Sequence, residues 1–165
     1  MDLDVLFLGT AGSTPTAARG LPSALVRRGG ERLLFDCGEG TQRQLLRSTG
    51  LLDLEEVFVT HFHADHFLGL PGMLKTFALR GRERPLTVYG PPGLTQLFEV
   101  LKPVIGKNTY PIRLVELQPN DELERDGFQI FNPGSPTDRR RQPRHTMGLA
   151  RVVGGRVAFE HVKLD

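Results

Sequence analysis

Residues 60–66 read Thr-His-Phe-His-Ala-Asp-His, and the rest of the chain is best interpreted outward from this stretch. It places four potential metal ligands within six residues and contains three of the five histidines in the chain. An apolar run at residues 57–59 leads directly into it and predicts a short buried strand. Because residues two apart in extended backbone point to the same side, His61 and His63 can direct their imidazoles at one metal.

The stretch predicts a strand, then a loop that carries the candidate metal ligands, and then a helix. We call residues 60–66 the metal loop. Asp65 and His66 come where the chain must turn, so they can reach a second metal beside the first. Glycine and proline in residues 69–72 interrupt the apolar pattern, which resumes at helical spacing in residues 73–78. Three histidines and an aspartate packed together without a cation would repel when protonated and need separate partners when buried. Their donor atoms suit zinc, manganese or iron.

Length and composition predict one soluble domain over residues 1–165. The chain is 39% hydrophobic and 24% charged, and it is long enough to bury a core. It contains no apolar stretch of membrane-spanning length and no signal peptide. Its single cysteine, Cys37, excludes an internal disulfide framework, which is typical of a cytoplasmic protein. A net charge of +2 does not by itself indicate a nucleic-acid partner.

Apolar patterning predicts alternating strands and helices, and hence an α/β sandwich. Thr41 is predicted to cap a short helix. Gly29-Gly30 and Gly154-Gly155 are predicted hairpin turns. The other predicted strands are residues 3–8, 23–28, 32–35, 86–89, 112–117, 128–131, 149–153 and 156–159, and a helical stripe covers residues 94–101.

A dense basic segment follows residue 132. Residues 132–138 are rich in proline, glycine and serine and predict a loop. Four arginines then fall within residues 139–144. Arginine matches phosphate groups bidentately, but a solvated loop has the same composition, and both interpretations remain open.

The metal stretch resembles the His-x-His-x-Asp-His motif of the metallo-β-lactamase superfamily. Four further segments are similar to the ribonuclease Z family, the tRNA 3′-end endonucleases within that superfamily. They are Phe-Leu-Gly-Thr at residues 7–10, Phe-Asp-Cys-Gly-Glu-Gly-Thr-Gln at 35–42, His-Phe-Leu-Gly-Leu-Pro-Gly at 66–72 and Val-Tyr-Gly-Pro-Pro-Gly-Leu at 88–94. The resemblance covers residues 1–117 well and the remainder poorly. It implies half of a four-layer αββα fold.

The resemblance also implies a role for each matched residue. His61 and His63 would bind one zinc ion, and Asp65 and His66 a second. Asp65 would also act as the general base, and two divalent cations would activate water and stabilise charge on a phosphodiester. Asp36 matches a carboxylate that orients a metal-bound histidine without touching the metal.

The match to the family weakens towards the end of the chain. His145 is the candidate for a further metal ligand, although the segment after it is shorter than in the family. The family's bridging aspartate, its final histidine and the glycine- and proline-rich arm that grips tRNA have no recognisable counterpart. We therefore expect a metallo-β-lactamase-like domain that lacks its C-terminal half and binds two, one or no zinc ions.

The leading interpretation is a zinc-dependent endoribonuclease that removes the 3′ trailer from precursor tRNA. By resemblance it would be a cytoplasmic homodimer, with precursor tRNA as its partner and no membrane association. One alternative is another hydrolase of this fold, acting on a small ester, thioester or lactam, although residues 35–42 and 66–72 favour the endonuclease. The other alternative is a non-catalytic half-domain that pairs with another chain.

Overall fold

The computed structural model describes residues 3–51, 54–118, 121–125, 128–131, 146–153 and 156–164. The chain folds as two compact units, Met1–Glu116 and Leu117–Asp165. The mixed α/β class predicted from the sequence is confirmed. A single domain without its C-terminal half stays a prediction. Within the described residues, no helix is long and apolar enough to cross a membrane.

Over its described residues, the first unit has six strands and four helices. In chain order these are β1 (Leu3–Gly9), β2 (Ser23–Arg28), β3 (Glu31–Phe35), α1 (Thr41–Ser48), β4 (Glu56–Phe58), α2 (Ala64–Phe67), α3 (Gly69–Leu79), β5 (Leu86–Gly90), α4 (Leu94–Ile105) and β6 (Ile112–Glu116).

The strands form one sheet in the order β1-β2-β3-β4-β5-β6. The first three pair antiparallel, and β3 to β6 pair parallel. Parallel neighbours need crossover connections, which are supplied by α1, by α2 with α3, and by α4. The carboxyl ends of β3, β4 and β5 therefore meet at one edge of the sheet. Residues that follow these strands come together there, including the predicted metal loop.

The core of this unit lies between the sheet and its helices. The strands contribute fully buried Leu25, Leu34, Val57 and Val88. Helix α3 buries all four apolar residues of the stripe predicted in residues 73–78. Because this face is continuous with the core, α3 is held against the strands that carry the metal loop.

Two local predictions are wrong. Residues 69–72 do not interrupt α3 but form its first turn. Pro71 is the third residue of the helix, where a backbone N–H has no intrahelical acceptor, so the proline removes no helical hydrogen bond. Thr41 is not a cap either: the N-cap of α1 is Gly40, at φ 87°, and Thr41 is the first, buried residue of the helix.

Arg82 is a buried cation in the polar segment at residues 80–84. Its Nη2 donates to the carbonyl oxygens of Leu54 at 2.6 Å and Pro85 at 2.8 Å. Its guanidinium carbon lies 5.2 Å from the ring centroid of Phe77. Arg82 therefore ties the end of α3 to the chain segments that lead into β4 and β5.

The described residues of the second unit form two antiparallel hairpins. Strands β7 (Glu122–Arg125) and β8 (Phe128–Phe131) form the first, and β9 (Thr146–Val153) and β10 (Arg156–Lys163) form the second. The rings of Phe131 and Phe159 stack with centroids 4.8 Å apart and join the two hairpins. Both β8 and the β9–β10 hairpin were predicted, whereas β7 was not. The arginine-rich segment at residues 139–144 and His145 lie outside the described residues.

Close backbone packing joins the loop after β3 to the metal loop and α3. A Cβ atom added to Gly38 would overlap the carbonyl oxygen of Asp65, and one added to Gly69 would overlap the carbonyl oxygen of Gly38. Cys37 N–H donates to the carbonyl of His66 at 2.8 Å, and Gly69 N–H donates to the carbonyl of Cys37 at 2.9 Å. Glycine is required at both positions for this approach.

Replacing Gly69 with alanine should therefore lower the free energy of unfolding by about 1–3 kcal/mol or more, because the new methyl would overlap backbone. Gly72 provides a matched control in the same helix. A Cβ atom there meets nothing within 4 Å, so Gly72→Ala should be neutral or stabilise by up to about 1 kcal/mol. Urea unfolding measures both variants, and equal stabilities would contradict the packing described here.

Candidate metal centre

The predicted site residues converge at the carboxyl edge of the sheet. Asp36 follows β3 directly, and residues 60–66 begin just after β4 and extend into α2. The backbone N–H of Asp36 donates to the carbonyl of Phe58 at 2.7 Å, which continues the β3–β4 pairing by one residue. His63 occupies the N-cap position of α2 in extended backbone, and the next two ligand candidates lie in that short helix.

The carboxylate of Asp36 is the centre of the hydrogen-bond network. Its Oδ1 accepts the backbone N–H of Thr60 at 2.8 Å, and the Thr60 hydroxyl lies 2.9 Å from both carboxylate oxygens. Its Oδ2 lies 2.6 Å from Nδ1 of His66. Asp36 is only 7% exposed, with φ 57° in the left-handed region, which aspartate tolerates better than most residues. The network therefore holds the His66 ring with its Nε2 directed away from Asp36.

The four predicted ligands lie side by side. The ring centroid of His61 is 4.7 Å from that of His63 and 4.0 Å from that of His66. Oδ2 of Asp65 is 3.5 Å from Nε2 of His66. The structure thus brings together three imidazoles and one carboxylate on a single loop and the short helix that follows it.

These donors fit a divalent cation by type, and one pair also fits by spacing. Two ligand atoms of a tetrahedral zinc ion with bonds of about 2.0–2.1 Å are about 3.3 Å apart, close to the separation between Asp65 and His66. In the part of the chain that the structure describes, no three His, Cys, Asp or Glu side chains stand in positions that would already hold a metal ion.

The environment of Asp65 favours its ionised form. Burial raises the pKa of this carboxyl, but backbone hydrogen bonds and the nearby His66 and His61 outweigh burial, so the pKa lies below its usual value. One of those bonds comes from the backbone N–H of Ser13, which lies 3.1 Å from Oδ2. An ionised carboxylate is able to coordinate a metal cation. The Ser13 contact was not predicted, because the glycine-rich loop after β1 carries no sequence signal for where its backbone leads.

Two neighbouring residues take structural roles. Burial, aided by the negative charge of the neighbouring Asp36, raises the pKa of the Cys37 thiol to about 12, so this side chain stays protonated. Gln42 accepts a hydrogen bond from the hydroxyl of Thr76 at 3.1 Å and joins α1 to α3. His145, the further ligand candidate, lies outside the described residues.

Comparisons with known proteins agree with the sequence motifs. A family model described as the metallo-beta-lactamase superfamily matches residues 19–159. Ribonuclease Z of Methanosarcina mazei is 49% identical over 131 residues, which cover 78% of this chain and 43% of that protein. Ribonuclease Z of Gemmatimonas aurantiaca is 38% identical over 167 residues, covering 93% of this chain and 53% of that protein. The chain spans about half the length of the curated relatives it matches.

Solved structures show the same fold. The short form of human tRNase Z matches with a TM-score of 0.64 and 27% identity, covering 96% of this chain and 64% of that one. A metallo-beta-lactamase fold protein from Bacillus subtilis matches with a TM-score of 0.63 and 21% identity, covering 99% of this chain and 58% of that one. At that lower identity the second match supports the fold alone.

Replacing Asp36 with alanine should weaken zinc binding by roughly 10–100-fold, as losses of groups that orient metal ligands do. Asp4 offers a control, because its carboxylate pairs with Arg27 at 2.8 Å on the exposed strand β1. Competition with a chromophoric chelator gives both affinities, and thermal unfolding shows whether each variant is folded. If the Asp36→Ala variant is folded and binds zinc as tightly as Asp4→Ala, then Asp36 stabilises the turn after β3 and does not contribute to metal binding.

Proposed function

The chain belongs to the metallo-β-lactamase superfamily, and from that premise we propose that it carries the metal-ligand motif of a ribonuclease Z-type endonuclease. The observation that carries this proposal is the cluster of three imidazoles and one carboxylate, in which Asp36 orients the ring of His66. Curated relatives that are 36–49% identical and are named ribonuclease Z support precursor tRNA as the substrate. The proposed reaction is hydrolysis of one phosphodiester bond, which releases the 3′ trailer.

In this proposal His61 and His63 bind one zinc ion, and Asp65 and His66 bind a second. Bound zinc would lower the pKa of a water molecule and offset negative charge on the scissile phosphate. Asp65 would accept the proton of the attacking water. Its pKa lies below the usual value, so the carboxylate is ionised near neutral pH, and the same shift makes it a weaker base. His145 is proposed as a further zinc ligand.

A cytoplasmic location and a homodimeric assembly are also part of the proposal. The single cysteine suits a reducing compartment. Strand β1, at the edge of the sheet, has Leu3, Val5 and Phe7 exposed on one face, with Phe7 69% exposed. An apolar strip of this kind favours association with another surface.

A second candidate function is metal binding without catalysis by this chain. It is favoured by the donor geometry of the described residues, where Asp65 Oδ2 and His66 Nε2 lie 3.5 Å apart, as two ligands of one ion would, while no three donors stand around one point. In this case the chain would need a partner surface to complete a reactive site.

The 165-residue chain alone should hold at most one zinc ion tightly and cleave precursor tRNA very slowly or not at all. Two cations about 3.5–4 Å apart need an anion between them to offset their repulsion, and the family's bridging aspartate has no recognisable counterpart in this sequence. Elemental zinc analysis and a cleavage assay on the same monomeric fraction measure both quantities. Two tightly held zinc ions with robust cleavage would contradict this expectation.

A chimera tests the substrate separately from the length of the chain. The aligned part of this chain, 78% of its length, would replace its counterpart in the Methanosarcina mazei ribonuclease Z. The chimera should cleave precursor tRNA at the 3′ trailer, and the same chimera with His61→Ala should not. Cleavage of small esters or lactams instead of tRNA would favour another hydrolase, and a folded, zinc-loaded chimera without either activity would contradict the proposal.

A further inference from the structure

We propose that Thr60 is a positioning residue that transmits the orientation set by Asp36 to His61; this inference rests on the metal site proposed above. The Thr60 hydroxyl lies between a carboxylate and an imidazole. It is 2.9 Å from both oxygens of Asp36 and 3.0 Å from Nδ1 of His61. The Thr60 backbone is fixed as well, because its N–H donates to Asp36 Oδ1 at 2.8 Å.

The hydrogen-bonding capacity of each group fixes the direction of these contacts. A hydroxyl has one proton to donate and two lone pairs, whereas an ionised carboxylate can only accept. The Thr60 proton therefore points at Asp36, and only lone pairs of its oxygen face His61. In a neutral ring, Nδ1 of His61 must then carry the proton, which leaves Nε2 as the unprotonated nitrogen that can bind a cation.

Asp36 acts on His66 in the same way but without an intermediary. Its Oδ2 lies 2.6 Å from Nδ1 of His66, so a neutral His66 also carries its proton on Nδ1. One carboxylate therefore sets the same tautomer in two histidines whose ring centroids are 4.0 Å apart. Both rings offer Nε2 to a metal before any metal is present.

The tautomer set by Asp36 and Thr60 should have a measurable effect on zinc affinity. A histidine in the wrong tautomer must move its proton before it can bind through Nε2, which lowers the apparent affinity. Groups that orient metal ligands contribute about 10–100-fold in affinity. Because Thr60 is exposed as a residue, water competes for its contacts, and we expect an effect at the low end, about 10-fold.

The test uses two substitutions that differ in the hydroxyl group. Thr60→Val keeps the branched shape and removes the hydroxyl, whereas Thr60→Ser keeps the hydroxyl. Nitrogen-15 NMR of the metal-free protein at a pH where the histidines are neutral identifies the tautomer of His61. Chelator competition gives the zinc affinity of the same samples. Neither measurement involves RNA, so its outcome is independent of the proposed endonuclease activity.

Wild type and Thr60→Ser should show His61 protonated on Nδ1, and Thr60→Val should shift towards the Nε2-protonated form and bind zinc about 10-fold more weakly. Three results would overturn the proposal: an Nε2-protonated His61 in the wild type, an unchanged tautomer in Thr60→Val, or an unchanged zinc affinity in that variant. Should Thr60→Val not fold, the tautomer in the wild type and in Thr60→Ala decides the question.

Discussion

The contact between the Asp36 carboxylate and the residues that leave β4 holds the candidate site together. Asp36 is placed by the parallel pairing of β3 with β4, which its own N–H extends to the carbonyl of Phe58. From there its two oxygens reach the backbone and side chain of Thr60 and the ring of His66. A single buried side chain thus links the geometry of the sheet to the orientation of the predicted ligands.

Close backbone packing holds the loops around Asp36 in place, so Asp36 can orient the predicted ligands. The loop at residues 37–38 lies against the metal loop and α3 with hydrogen bonds in both directions and without room for a side chain at Gly38 or Gly69. A site held by backbone contacts loses less conformational freedom when a ligand binds. The ionised carboxylate of Asp65 also accepts a hydrogen bond from the backbone N–H of Ser13, which lies in the loop after β1.

The parts of the fold that the sequence predicted are those determined by short-range patterns. Most strand positions follow from apolar runs of four to eight residues, and the ligand candidates are adjacent because they lie within residues 61–66. Strand β7 was missed because its four residues, Glu-Leu-Glu-Arg, carry three charges and little apolar signal. Pro71 was misread as a break because its effect depends on its position in the first helical turn.

Contacts between distant backbone segments account for the rest. Ser13 and Asp65 are 52 positions apart, and periodicity does not indicate which N–H of a loop meets which carboxylate. The burial of Arg82 was not predicted, because its carbonyl partners come from backbone and leave no trace in side-chain composition. The role of Asp36 in orienting a metal ligand was suggested by a family resemblance. Its hydrogen bonds to Thr60 are seen only in the structure.

A crystal structure of the chain, determined from crystals grown in the presence of zinc, would test the role of Asp36 most directly. The account predicts zinc bound by Nε2 of His66 with at least two further donors from residues 61–65, at about 2.0–2.2 Å. Asp36 should remain off the metal, with its carboxylate still bonded to Thr60 and to Nδ1 of His66. Zinc ligated by an Asp36 oxygen, or by Nδ1 of His66, would contradict it.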